Sequence, residues 1–157
     1  MKRGRDFSIG NDVVSVSRIS SLIERRGDRF LNRCFTAAEI RDCRAKARPS
    51  IHFAGRWAAK EAVYKALRLE WNRPFSWKEI EIGRDSSSGA PTVRFSEAIR
   101  SEVTSSDSDM VRETRAGPDS DSEPEIEISL SISHCAEYAF ATALVLRACG
   151  AGEGREQ

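Results

Sequence analysis

An alanine-rich segment at residues 51–69 is the feature that most limits how this chain of 157 residues can fold. It is dominated by good helix formers, and Ser50 follows Pro49 as a predicted N-cap. Four apolar residues share one face of the helix: Ala59, Val63, Ala66 and Leu67. That face must be covered, so we expect a long helix that packs on a layer formed by the rest of the chain.

Alternation of apolar and polar residues predicts that this layer is built of antiparallel strands. The expected strands are residues 7–16, two hairpin strands around the turn at 85–89, and two more at 126–132 and 138–146. Shorter helices are expected from Ser17 to about Arg26, from Thr36 toward Lys46, and over residues 96–103. The predicted fold class is α+β, with helices packed on one face of an antiparallel sheet.

Residues 104–123 contain almost no large apolar side chains, and we expect them to form a disordered acidic insertion. Eight acidic residues stand against two arginines between positions 101 and 125, so this stretch carries −6 and the remainder +7. We expect residues 1–150 to form one domain and residues 151–157 a flexible tail. The basic remainder suits an anionic partner, such as a phosphorylated small molecule, an acidic protein or a nucleic acid.

The sequence also argues against several classes of protein. No apolar run approaches the roughly 20 residues of a membrane helix, and no secretory signal is visible. The four cysteines show no metal-like spacing, which favours reduced thiols in an intracellular compartment, either the cytoplasm or the mitochondrial matrix. No nucleic-acid recognition motif is present, so we expect neither a membrane nor a nucleic acid as partner.

Three charged residues would form a candidate site if the fold brought them side by side. Glu61 and Lys65 lie four apart on one helical face, and Asp12 follows a glycine near the end of a strand. Taken separately, they are typical of a surface ion pair and a turn residue. Taken together, Asp12 and Glu61 supply the one or two carboxylates by which Mg²⁺ is usually held, with phosphate oxygens completing its coordination.

The order and spacing of three segments resemble the phosphopantetheinyl transferase superfamily, specifically its short holo-acyl-carrier-protein-synthase branch. The segments are I-G-N-D-V-V at 9–14, F-A-G-R-W-A-A-K-E-A-V-Y-K-A-L at 53–67 and S-I-S-H-C-A-E-Y-A at 131–139. Residues 30–40 and the G-A-P turn at 89–91 extend the resemblance over nearly the whole chain outside the acidic insertion and the tail.

This resemblance implies an enzyme of fatty acid biosynthesis that transfers 4′-phosphopantetheine from coenzyme A to a serine of an apo acyl carrier protein, releasing 3′,5′-ADP. It implies Mg²⁺ bound by Asp12 and Glu61, with Lys65 as a further catalytic residue. By the same resemblance, coenzyme A is bound by Arg56, Lys60, Lys65 and His134, and the acidic carrier protein by Arg18, Arg25 and Arg26. The short branch generally forms homotrimers with active sites between protomers, and we expect the same here.

Some points stay open at this level. Ala136 and Ala90 replace basic residues that are common in the family, and His52 lacks a family-like setting, so we interpret it as structural. A water on the metal, Glu61 or Lys60 could each accept the serine proton. One alternative is a transferase module that acts on the carrier domain of a fungal-type fatty-acid synthase. Another is a non-catalytic module that binds coenzyme A or a nucleotide.

Overall fold

The computed structural model describes residues 5–69, 74–105 and 126–148. Its strands are β1 (Arg5–Ser15), β2 (Ile80–Arg84), β3 (Pro91–Phe95), β4 (Ile126–His134) and β5 (Tyr138–Ala148). Its helices are α1 (Val16–Cys34), α2 (Ala37–Arg44), α3 (Pro49–Leu67) and α4 (Glu97–Ser105), with a short 3₁₀ helix at Trp77–Glu79. The predicted α+β class is confirmed, and the core of the acidic insertion and the C-terminal tail lie outside the described residues.

The strands form two antiparallel sheets where we expected one. The larger sheet has the order β1-β5-β4, and β2 pairs with β3 in a separate two-stranded sheet. In the described residues, the second edge of β2 is bonded by side chains of α2 and α3. Alternation of apolar residues predicts strands well, but it carries no information about what covers an edge.

Helix α3 lies across the three-stranded sheet, and small side chains form the contact. Ala58, Ala62 and Ala66 on the helix are fully buried, as are Ala141 and Ala143 on the central strand β5. Short side chains on both layers let the backbones approach closely. The approach is closest at Gly10 of β1, where an added Cβ would collide with the carbonyl oxygen of Ala62 and lie 2.6 Å from the backbone nitrogen of Ala66.

The helix boundaries follow local capping chemistry and differ from the predictions in two places. Thr36 and Glu39 form the predicted capping box at the start of α2. Ser15, and not Ser17, caps α1 by accepting from the Arg18 amide, and the helix continues past Arg26 to Cys34 across a kink at Gly27. Helix α3 begins at Pro49 with Arg48 and not Ser50 at the cap position, and no side chain caps it; proline suits the first helical position because it has no N–H of its own to leave unpaired.

The face of the large sheet opposite α3 is apolar and open to solvent. Five large hydrophobic side chains on this face are between 44% and 61% exposed: Phe7, Ile9, Val13, Tyr138 and Phe140. They alternate with the buried residues of β1 and β5, so the helices cover one face of the sheet as expected, and no described helix covers the other. None of the helices in the described part of the chain is long and apolar enough to cross a membrane.

Candidate active site

Strand β1 and helix α3 bring Asp12, Glu61 and Lys65 together. The Lys65 ammonium lies 2.9 Å from Oδ1 of Asp12 and donates to the carbonyl oxygen of Asn11 at 3.0 Å. Burial raises the pKa of Glu61, and the nearby negative charge of Asp12 raises it further, while Lys65 and Arg18 oppose the rise. The fold therefore places the two predicted carboxylates close together, and we call Asp12 and Glu61 the acid pair.

Gly10 sets the position of the acid pair. Asp12 lies two residues after Gly10 on the same face of β1, and Lys65 lies on α3 directly beside the contact, with its Cβ 3.0 Å from a Cβ built at position 10. A side chain at position 10 would push β1 off α3 and carry Asp12 away from Glu61. The glycine is needed here because the backbones touch.

The acid pair fits a hard cation. Two carboxylates share a partly buried place. Burial raises the pKa of Glu61 most and the negative charge of Asp12 raises it further, and a cation between the two carboxylates would offset both effects. The described residues contain no group of three or more His, Cys, Asp or Glu side chains that could hold a metal ion. A donor set of two carboxylates suits Mg²⁺ completed by water and substrate phosphates better than an ion held by protein alone.

The three carrier-binding candidates, Arg18, Arg25 and Arg26, are all exposed on α1. Arg18 is close enough to the acid pair that its charge lowers the pKa of Glu61. Arg25 donates to the carbonyl oxygen of Ser21 in the preceding turn, at 3.1 Å. They form a basic surface that begins beside the acid pair and extends along α1.

Lys60 is not part of this site. Its ammonium is completely buried, lies 2.8 Å from the carboxylate of Glu39 and donates to the carbonyl oxygens of Trp77 and Ile80. Because these partners occupy the ammonium inside the core, the structure does not place Lys60 where a substrate phosphate could reach it. Its prediction as a coenzyme A ligand and as a candidate base is corrected by this burial.

Arg56 and His134 line a cleft of about 220 Å³ between α3, the β2–β3 hairpin and β4, which we call the anion cleft. Arg56 donates to the carbonyl oxygen of Ile82 at 3.2 Å and lies 3.6 Å from Asp42. Both predicted residues therefore reach one concave surface.

Sequence reasoning missed two further residues of the anion cleft, His52 and Arg84. The rings of His52 and His134 lie 5.7 Å apart and nearly perpendicular. Burial lowers the pKa of His52, and the positive charges of His134, Lys46, Arg56 and Arg84 lower it further. The interpretation of His52 as structural overlooked that it precedes Arg56 by one helical turn and so shares its face.

The acid pair and the anion cleft lie on different faces of α3. Glu61 follows Arg56 by five residues, which at 3.6 residues per turn is about 140° around the helix axis. Lys65 continues the face of Glu61, and His52 that of Arg56. One chain thus presents two charged half-sites that point in different directions.

Comparisons with known proteins agree with this architecture. Residues 8–142 match the 4′-phosphopantetheinyl transferase superfamily. A holo-[acyl-carrier-protein] synthase of Chlamydia pneumoniae is 38% identical over 138 residues, which cover 88% of this chain and 95% of the relative. One from Rhodopirellula baltica is 44% identical over 88 residues, covering 56% of this chain and 69% of the relative.

A solved structure shows the same fold. The Helicobacter pylori holo-[acyl-carrier-protein] synthase in complex with coenzyme A is 30% identical and superposes with a TM-score of 0.66, covering 87% of this chain and 98% of that one. The family match spans most of the chain and includes every predicted site residue. The chain therefore belongs to the 4′-phosphopantetheinyl transferase superfamily, as an enzyme of the holo-[acyl-carrier-protein] synthase type.

Proposed function

We propose that this enzyme transfers 4′-phosphopantetheine from coenzyme A to a serine hydroxyl of an apo acyl carrier protein and releases 3′,5′-ADP. The observation that carries the proposal is the acid pair with Lys65 beside it, at a backbone contact that admits only glycine. Coenzyme A as the donor is supported by the complex of the Helicobacter pylori relative. An intracellular location stays a prediction.

The reacting phosphate belongs next to the acid pair. Mg²⁺ held by Asp12 and Glu61 would neutralise charge on the pyrophosphate of coenzyme A. Lys65, whose side chain is 49% exposed, can turn its ammonium from Asp12 toward the oxygen of the departing 3′,5′-ADP. Of the three candidate bases, the burial of Lys60 leaves Glu61 or a water beside it to accept the serine proton.

The anion cleft suits the 3′-phosphate of coenzyme A. Arg56, Arg84 and His134 supply donors, and His52 adds a second imidazole. Burial lowers the pKa of His52 most, and the surrounding positive charges lower it further; a phosphate dianion would offset the part that comes from those charges.

The basic surface on α1 suits the acceptor. Acyl carrier proteins are acidic, and exposed arginines accelerate association with an acidic partner more than they tighten the final complex. Because Arg18 lies beside the acid pair, a carrier protein bound along Arg18, Arg25 and Arg26 would present its serine near Glu61.

A homotrimer would complete the active site. The apolar face that contains Phe7, Ile9 and Phe140 is a large exposed patch of the kind that marks protein interfaces. The acid pair and the anion cleft of one chain point about 140° apart around α3, so a second copy is needed to bring a cleft next to an acid pair from another direction. The apolar patch supports assembly through the open face of the sheet, and the divergence of the two half-sites supports an active site that two copies share.

Mass spectrometry of an apo carrier protein incubated with coenzyme A and MgCl₂ tests the proposal. We expect a phosphopantetheine adduct on the serine and 3′,5′-ADP in the supernatant. A parallel reaction with the carrier domain of a fungal-type fatty-acid synthase distinguishes the two possible acceptors by rate. Tight, magnesium-independent binding of coenzyme A without transfer would contradict the proposal and indicate a binding module.

A further inference from the structure

The edge of β2 that does not pair with β3 is bonded by charged side chains from two helices. Lys60 of α3 donates to the carbonyl oxygen of Ile80 at 2.6 Å. Glu39 of α2 accepts from the amide of Ile82 at 2.9 Å. Arg56, one turn before Lys60, donates to the carbonyl oxygen of Ile82. These side chains take the place that a neighbouring strand would occupy in a larger sheet.

The Glu39–Lys60 pair lies in the core and is fully satisfied. The two side chains are 1% and 0% exposed, and their charged atoms are 2.8 Å apart. Glu39 also accepts from the amide of Thr36 at 2.8 Å, and Lys60 also donates to the carbonyl oxygen of Trp77 at 2.8 Å. Each charge therefore bonds to its partner and to at least one backbone group.

Stability alone is a weak reason to keep such a pair. Desolvation of two charges is costly, and apolar side chains of the same volume often pack as well or better. Hydrogen bonds to named backbone atoms do something that apolar packing does not, because they set the register and distance of the strand. Burial lowers the pKa of Lys60, and the charge of Glu39 opposes that shift, so the lysine depends on its partner to stay charged.

The strand that the pair holds is one wall of the anion cleft. Gly83, Arg84 and Pro91 of the β2–β3 hairpin face His52 and Arg56 of α3 across the cleft. Arg84 follows Ile82, the strand residue that Glu39 holds, by two positions. The width of the cleft therefore depends on how far β2 lies from α3, and the Glu39–Lys60 pair contacts β2 at this place.

We propose that Glu39 and Lys60 are positioning residues, which hold the β2–β3 hairpin at the distance from α3 at which the anion cleft accepts the terminal phosphate of the donor. The identity of that donor as coenzyme A rests on the proposed function. Neither residue touches the substrate. Loss of the pair should weaken binding of the phosphate without altering the acid pair, which lies on another face of α3.

The test is the double variant Glu39→Gln/Lys60→Met, which removes both charges, keeps side-chain volume and avoids an unpaired buried ion. We expect the KM for coenzyme A and the Kd for 3′,5′-ADP, measured by calorimetry, to rise about tenfold or more. The kcat and the KM for the carrier protein should stay within about threefold of the wild type. Amide exchange at Ile82 should become faster, because its acceptor is held less firmly.

Glu39→Asp is a milder second variant, which keeps the charge but shortens the side chain and should raise the KM for coenzyme A by a smaller factor. The control is Asp28→Asn/Arg44→Met, which removes an exposed ion pair at another place and should leave every parameter unchanged. Tighter binding of coenzyme A by Glu39→Asp than by the double variant would support a positioning role.

Folded variants of the Glu39–Lys60 pair with coenzyme A binding within twofold of the wild type would overturn the inference. So would failure of both variants to fold, because the pair would then serve the fold as a whole. A wild-type chain that binds 3′,5′-ADP without transferring phosphopantetheine would refute the proposed function. The Kd for 3′,5′-ADP in the variants would still decide this inference. A wild-type chain that binds neither ligand would overturn both.

Discussion

The acid pair and the anion cleft are built on the same helix by different means. The acid pair depends on one backbone contact, where Gly10 of β1 lies against α3 and leaves no room for a side chain. The anion cleft has walls from α3, β4 and the β2–β3 hairpin, and side-chain hydrogen bonds hold the hairpin in place. One region is fixed by steric exclusion and the other by hydrogen bonds from side chains to the backbone of β2.

This difference predicts two kinds of response to mutation. A change at the acid pair should abolish transfer, since two carboxylates act on one centre of charge and the backbone has no freedom to compensate. A change in the anion cleft should be graded, because several donors share one phosphate and each contributes part of the affinity. Mutations in the two regions should therefore divide between kcat and KM.

Gly10→Ala should produce the largest combined effect. The added methyl group would collide with the carbonyl oxygen of Ala62, and neither backbone can move away cheaply. We expect about 1–3 kcal/mol of lost stability and a fall in kcat of about 100-fold, because Asp12 is displaced from Glu61. Thermal unfolding and single-turnover transfer measure the two effects.

Gly55→Ala is the matched control for Gly10→Ala. A Cβ at position 55 meets only a methyl group of Ile132, at 3.3 Å, and alanine favours the helix by about 0.5–1 kcal/mol. Stability of Gly55→Ala should be close to that of the wild type. If Gly10→Ala were equally stable and active, the backbone contact would not be what fixes the acid pair.

Arg84→Ala and His134→Asn should have smaller effects that appear in KM. If the cleft binds the 3′-phosphate as proposed, each variant removes one donor to it, so the KM for coenzyme A should rise about tenfold, as expected for a hydrogen bond to a charged group. The KM for 3′-dephospho-coenzyme A, which lacks that phosphate, should not change. Lys78→Ala, at an exposed position outside the cleft, is the control. An equal rise in KM for coenzyme A and for 3′-dephospho-coenzyme A would show that the cleft does not bind the 3′-phosphate.

Arg25→Glu and Arg26→Glu, at exposed positions of α1, should act on binding of the carrier protein and not on binding of coenzyme A. Reversal of charge on α1 should raise the KM for the carrier about tenfold at low salt and leave the KM for coenzyme A unchanged. The effect should shrink above about 0.5 M salt, because screening removes the attraction that the wild type has. Arg41→Glu, on the exposed side of α2, is the control and should not change the KM for the carrier. If Arg41→Glu raised that KM as much as the variants on α1, net charge and not the surface on α1 would account for the effect.

The smallest expected effect is a pH shift at Glu61. Its folded-state pKa is raised by burial and by Asp12, so the native state holds that proton more tightly than the unfolded chain. Stability should therefore fall as pH rises from the ordinary glutamate pKa through the raised one. NMR titration without magnesium should show the raised pKa, and Asp12→Asn should lower it. An unchanged pKa of Glu61 in Asp12→Asn would show that the charge of Asp12 does not act on Glu61.

Much of this fold could be predicted because its signals are local. Alternation located β4, the apolar stretch after a turn located β5, the capping box located α2, and the alanine-rich segment located α3. The prediction that Asp12 lies close to Glu61 came from a family resemblance. Periodicity places Glu61 and Lys65 on one face of the helix, but it does not say which strand packs against them.

Lys60 shows what the sequence could not supply. It is adjacent to Glu61 in the chain, and only the structure reveals that it turns inward to a glutamate on a different helix. The same two helices bond the edge of β2 at which a further strand could have added, which alternation along the strand could not reveal. His52 was missed for a related reason, since its partner His134 is distant in sequence.

The most direct test of the account is the transfer rate of Asp12→Asn, Glu61→Gln and the double variant at saturating coenzyme A and magnesium. Each substitution keeps the shape of the side chain and deletes its charge. We expect each single variant to fold and to lose about 100-fold or more in rate, roughly 3 kcal/mol. The double variant should be far less impaired than the product of the single effects, because both residues serve one ion. Single variants with wild-type rates and an unchanged magnesium requirement would contradict the account.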